Sequence, residues 1–181
     1  HLLRIALLMI FIVGSLSVAA QDDPFIFGDL LPDAPELAAR GDYGVGFRTV
    51  ELVNPDQIDL ENLSEENPDA RYDRPLTVEV WYPAVIPDGS VELATYESNH
   101  GRLDQGNVEP FSFVGRALRD ADPDASGGAY PLVIVSHGYP GSRFMMTYLT
   151  ENLASKGYVV AAIDHTDSTF ADTGSFFITL L

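Results

Sequence analysis

The chain has 181 residues, 27 of them acidic against 10 basic, giving a formal net charge of −17, and it contains no cysteine. So much negative charge disfavours binding to nucleic acid or to anionic membrane surfaces, because both repel like charge. Without thiols the fold has no disulfide to rely on and offers no thiolate to a metal.

Residues 1–20 read as an export signal. Arg4 supplies a basic start, residues 5–13 carry no polar side chain, and Val18-Ala19-Ala20 forms a small-residue cleavage site ahead of Gln21. The apolar run is shorter than the ~20 residues a membrane span needs, and Gly14 and Ser15 interrupt it. A cleaved signal is therefore expected rather than a stable anchor, with a secreted or periplasmic mature chain. Residues 21–40, acidic and rich in proline, are expected to form an exposed lead-in. Residues 41–181 read as the N-terminal part of a single α/β domain.

Within it, 41–53 alternates in its second half and predicts a first strand. The polar stretch 54–74 predicts a loop. Residues 76–82 predict a strand with Val78, Val80 and Tyr82 on one face, so that the two strands form an antiparallel pair opening a mixed sheet. Residues 91–96 fit a short strand or an extended cover, and 111–118 fit a helix with Phe113, Ala117 and Leu118 turned inward. The D-x-D-x-D run at Asp120, Asp122 and Asp124 lacks the distal Glu of a calcium loop and reads as a solvated turn.

The informative stretch is 131–165. Residues 131–136 (Pro-Leu-Val-Ile-Val-Ser) are an almost uninterrupted apolar run, suited to a strand buried on both faces of a parallel sheet. Residues 137–143 (His-Gly-Tyr-Pro-Gly-Ser-Arg) are a turn cluster. From Phe144 the period becomes helical: Met145, Leu149 and Leu153 lie four apart, flanked by Met146 and Ala154. Ser142 suits the N-cap, Lys156 the negative end of the dipole, and Gly157 a left-handed stop. Residues 158–163 then predict a second buried strand, and 170–181 the start of a further helix. Two parallel strands joined through a helix make a right-handed crossover. The loop 137–143 then lies at the carboxyl edge of the sheet, where open α/β proteins bind their ligands.

Spacing narrows what such a loop does. A nucleoside-triphosphate loop needs Lys and a hydroxyl after its second glycine, but Ser142 and Arg143 follow Gly141. A dinucleotide fingerprint needs three glycines, and only Gly138 and Gly141 are present. Two readings stay open: an oxyanion hole or a plain turn. In the first, Gly138 allows a tight bend, the Tyr139 N–H donates to a developing alkoxide, and Pro140 stiffens the loop without adding a donor.

The run S-H-G-Y-P-G-S-R, followed by a helix and by V-V-A-A-I-D-H-T-D-S, resembles the α/β-hydrolase superfamily, in its platelet-activating-factor acetylhydrolase-like and dienelactone-hydrolase-like branch. Leu76 to Pro83 is similar to that family's early V-x-V-W-Y-P strand, and Gly115-Arg116-Ala117 to the segment before its third strand. The resemblance spans about residues 41–170. It implies that the Tyr139 N–H serves an oxyanion hole, with Gly138 and His137 supporting the loop. It also implies a serine nucleophile in G-x-S-x-G, followed in the chain by Asp and His. None of the twelve serines is so flanked. The triad is therefore expected beyond Leu181, and residues 1–181 by themselves are expected to be inactive.

The resemblance thus implies a secreted carboxylic-ester hydrolase of the lipid acetyl-ester type, acting through an acyl-serine on a small ester or lipid, with no metal and no cofactor. The alternatives are a cutinase-like polyester hydrolase or a peptidase on the same fold and, outside enzymes, a secreted binding module without a triad. Asp164, His165 and Ser168 lie too close in sequence to form a triad, whose members come from separate loops. His165 is expected to cap a strand end or line the pocket wall, and His137 to anchor the loop. Arg143, unfavourably placed at a helix N-terminus, is expected to meet a carboxylate or to face the substrate.

Overall fold

The computed structural model describes residues 26–30, 36–102, 106–166 and 168–170. The proposed signal at 1–20 and most of the expected final helix lie outside the described residues. After a 3₁₀ turn at Glu36–Ala38 come β1 (Gly44–Ile58), β2 (Arg71–Val85), β3 (Ala94–Arg102), β4 (Asn107–Gly115), β5 (Leu118–Arg119), β6 (Asp122–Pro123), β7 (Leu132–Ser136), α1 (Thr147–Ser155) and β8 (Val159–Asp164). The main sheet runs β5-β1-β2-β8-β7, with β6 attached to β2, and β3–β4 is a separate hairpin.

β7 and β8 pair in parallel, Leu132 with Val159 through Ser136 with Ile163, and α1 joins them. β1–β2 and β2–β8 are antiparallel, so the sheet is mixed, as expected. Alternation on β2 explains how both faces of the sheet are filled. Trp81 faces α1 and packs with Val45, Phe47, Val160, Ala162, Ala154 and Phe144. Its neighbours Tyr82 and Ala84 point the other way, onto Ala121. The hairpin closes the first cluster by laying Tyr96 against Phe47 and Phe144, with ring centroids 5.0 and 5.1 Å apart.

Five expectations need correction. The loop expected at 54–74 is confined to 59–70: β1 extends to Ile58 and β2 begins at Arg71, because polar side chains suit a ribbon with little to bury. Residues 111–118 are not a helix. Phe111 and Phe113 alternate along β4, and Phe113 pairs with Tyr96 across the hairpin. The lead-in is not wholly exposed, since Ile26 is buried and bridges Val114, while Phe27 meets Phe113 edge-on.

β7 is buried on one face only: Val133 and Val135 pack on the core, whereas Leu132 and Ile134 are more than half exposed. The helix starts later than predicted and turns differently. Ser142 is not its N-cap; its Oγ instead accepts from the Phe144 N–H at 3.2 Å, within a turn that precedes α1. The buried face is Thr147, Thr150, Glu151, Ala154 and Ser155, with Met145 exposed. Apolar periodicity misleads because those hydroxyls bond local backbone, Thr147 to the Phe144 carbonyl in the preceding turn at 2.6 Å and Ser155 to the Asn152 carbonyl of its own helix at 2.7 Å. A small polar face so satisfied packs closely at little cost. Gly157, at φ +90°, ends the turn after α1 as predicted.

Candidate active site

The loop 137–143 leaves the carboxyl end of β7 and is curled tightly. The His137 ring and the Gly138 carbonyl sit where a side chain on Gly141 would go, 2.6 and 2.7 Å from the position of its Cβ. The His165 N–H donates to His137 Nε2 at 3.1 Å, so that nitrogen carries no proton. The ring proton is then on Nδ1, 2.6 Å from the Gly138 carbonyl, which accepts it. His137 thus ties the loop to the end of β8. His165 in turn lies edge-on to His137 at 4.9 Å, with its Nε2 2.7 Å from Ser136 Oγ. Burial, with His137 and Arg74 close by, lowers the His165 pKa below its usual 6.5, so the ring is held neutral.

At the far end of the loop, Arg143 meets two carboxylates. Its Nε donates to Glu79 Oε2 at 3.1 Å, and its Nη1 pairs with Asp164 Oδ2. Its backbone N–H donates to Asp164 Oδ1 at 2.5 Å, and the guanidinium covers the Phe144 ring at 4.3 Å. Of the two roles expected for Arg143, the structure displays the carboxylate pairing. Glu79 is fully buried on β2, where Thr49 Oγ1 also donates to it at 3.0 Å and Arg119 lies 3.7 Å away. Burial raises its pKa above the ordinary carboxylate value, and the hydrogen bonds from Arg143 and Thr49 offset part of that rise. Asp164 therefore faces Arg143, while Ser168 makes a turn with its N–H to the His165 carbonyl at 3.0 Å.

The Gly141 N–H donates to the Ser168 carbonyl at 3.1 Å, which joins the loop to the segment after β8. Tyr139, bonded to Pro140 through a cis peptide, is partly exposed. Beside the loop, a cavity of about 300 Å³ opens between the β3–β4 hairpin and the start of α1. A smaller hollow of about 170 Å³ reaches Gly141, Arg143 and Asp164 and shares Ser98, Asn99, Ser142, Phe144 and Phe170 with the larger one. Ser98 Oγ and Ser142 Oγ are 3.1 Å apart at this neck.

Residues 113–178 match the family described as platelet-activating factor acetylhydrolase, isoform II. That span contains β7, the loop, α1 and β8. Over that span the chain is similar to the platelet-activating-factor acetylhydrolase-like α/β-hydrolases. Among relatives, it is 41% identical over 54 residues to a platelet-activating factor acetylhydrolase of Cavia porcellus, covering 30% of this chain and 12% of that protein. It is 39% identical over 74 residues to that of Canis lupus familiaris, covering 39% of this chain and 16% of that protein. The matches thus span less than a fifth of the relatives' own length. Among solved structures, a ferulic acid esterase from Streptomyces cinnamoneus is 28% identical, with a TM-score of 0.47, over 74% of this chain and 37% of that one.

Two features of this site escaped sequence reasoning. Glu79 lies two residues from Trp81 on the same strand face, so its inward direction was readable from alternation, though not its partner. The cavity depends on the hairpin, which was hidden by reading residues 111–118 as helical.

Proposed function

We propose that the protein is an exported carboxylic-ester hydrolase that works through an acyl-serine intermediate, with its nucleophile on a part of the protein other than residues 26–170. The family match over the segment that carries the loop is the observation behind this reading. Serine Oγ attacks the ester carbonyl and a base takes its proton. The tetrahedral oxyanion collapses to expel the alcohol, and water then releases the acid. The Tyr139 N–H is one donor to that oxyanion, with Gly138 giving the bend and His137 the anchor. A single such donor contributes roughly 10²–10³ in kcat. Arg143, held by Glu79 and Asp164, fixes the C-terminal end of the same loop and so acts as a positioning residue.

The test uses the full-length protein and a fluorophosphonate, which phosphonylates an activated serine. One labelled serine outside residues 26–170, with p-nitrophenyl acetate turnover lost in step, supports the reading. No labelling, or labelling at Ser98, Ser136 or Ser142, overturns it. Residues 21–181 expressed alone are expected to show no serine-dependent turnover.

A further inference from the structure

The cavity beside the loop is apolar on most of its wall. Phe111 and Phe113 of β4 form one side, their rings stacked at 5.9 Å, and Phe144 and Met145 ahead of α1 form another, with Phe27 and Phe170 at the margins. Interiors are ordinarily packed without holes of this size. Two of its residues, Phe111 and Met145, keep about two-fifths of their surface in water, so apolar area is left open at the mouth. Among the described residues, four polar side chains line the cavity, and one of them, His100, lies on the wall against Phe111 with ring centroids 5.3 Å apart, while the other three are grouped. Ser98, Asn99 and Ser142 sit together where the cavity meets the smaller hollow leading to Gly141, Arg143 and Asp164. An apolar basin, a neck where those three polar side chains meet Phe144 and Phe170, and a glycine loop follow one another in that order. A ligand that fits this order has a hydrocarbon arm at one end and a polar, reactive group at the other.

We propose that this basin binds the apolar arm, alkyl or aryl, of an ester whose carbonyl lies toward the loop. The proposal rests on the hydrolase reading above and adds the size of the arm. A dry cavity of about 150 Å³ takes a benzene ring, so one of about 300 Å³ takes an arm well beyond acetyl. Arms of about six to ten carbons fit it, each added methylene tightening binding roughly fourfold until the space is filled.

Methyl-labelled methionine in the full-length protein gives a readout that does not depend on turnover. Met145 lines the basin, and its neighbour Met146 serves as the internal reference. Titration with 1-butanol, 1-hexanol and 1-octanol is expected to shift the Met145 methyl signal saturably, with affinity rising along the series. Phe111→Trp, at a partly exposed position, fills the basin and is expected to weaken octanol binding at least tenfold. Phe170→Trp reads the same space from another wall should the first variant fail to fold. In the kinetic arm, the KM of Phe111→Trp relative to the parent is expected to rise with the length of the ester's arm. A Met145 shift without length dependence, or one untouched by both tryptophans, overturns the proposal. Alkanol binding as expected with no ester turned over upholds the basin and overturns the hydrolase reading. Ester turnover with no Met145 response does the reverse.

Discussion

Arg143→Met is the substitution that most directly probes how the loop is held. Met keeps the apolar stem over Phe144 but removes the guanidinium from Glu79 and Asp164. Breaking a buried ion pair by deleting one partner costs about 3–5 kcal/mol, because the other charge stays behind. Glu79 would keep Thr49 at 3.0 Å and Arg119 at 3.7 Å, and Asp164 would keep the backbone N–H of residue 143. The lower end, about 3 kcal/mol, is therefore expected at neutral pH. The sign of the pH dependence follows from Glu79, whose folded pKa already lies above its ordinary 4.5 and rises further without Arg143. Between 4.5 and the folded value, the native chain holds a proton that the unfolded chain has lost. Unfolding free energy therefore falls as pH rises, and the penalty fades once both states are protonated. Urea unfolding at about pH 5 and about pH 8 should thus show a larger deficit at the higher pH. Trp81, the sole tryptophan and wholly buried, reports the transition. A deficit under 1 kcal/mol, or one that is flat with pH, would refute the account. Arg143→Lys, which keeps charge without the fork, should fall between.

Three further outcomes test neighbouring contacts. Gly141→Ala drives a methyl into the His137 ring and the Gly138 carbonyl, so it is expected to cost about 1–3 kcal/mol by chemical denaturation and to lower kcat more than it raises KM. Glu151→Gln sets one amide hydrogen pair against either the Tyr96 hydroxyl or the Arg116 N–H, both of which donate to the carboxylate, at 2.8 and 2.9 Å. A loss of about 1–3 kcal/mol is expected, again by urea titration. His165 has a folded pKa below its usual 6.5, so its unfolded form binds protons first and the protein loses stability as pH falls below 6.5. His165→Gln should flatten that acid limb in melts taken across the range; an unchanged limb would assign it to other groups.

How far these elements were legible depends on which interaction decided each one. β2, β7 and β8 were readable because burial on a sheet writes period-2 or continuous apolar runs, and Gly157 because a left-handed stop selects glycine. The inward face of α1 was not, because Thr147, Thr150 and Ser155 bury hydroxyls that bond back to local backbone, and hydrophobicity is silent on that. β4 was misread because Phe113, Ala117 and Leu118 fall at helical spacing as easily as Phe111 and Phe113 fall at strand spacing; the contact with Tyr96, seventeen residues earlier in sequence, decides it. In the site, the turn residues named the loop, but the partners of Arg143 come from β2 and β8. No local pattern announces a contact across 64 residues.

On the proposed function, those distant partners bear on how the loop would serve catalysis. An oxyanion donor is useful only if it is already in place when charge develops, since reorganisation at that moment would cancel its advantage. A seven-residue loop rich in glycine and proline is not rigid by its own composition. Here it is tied at its start through His137 to the His165 N–H, in its middle through the Gly141 N–H to the Ser168 carbonyl, and at its end through Arg143 to Asp164 and Glu79. Two of the three ties go to the segment just beyond β8, and the third joins β2 as well. β2 and β8 are neighbours in the sheet. The charged groups buried there are costly to desolvate, as the raised pKa of Glu79 records. Replacing them with hydrocarbon of the same volume would relieve that cost but leave the end of the loop without a fixed address. The buried ion cluster is therefore best understood as a cost in stability retained for positional accuracy. It follows that variants which keep the fold but cut these ties should lose kcat while leaving substrate affinity nearly intact.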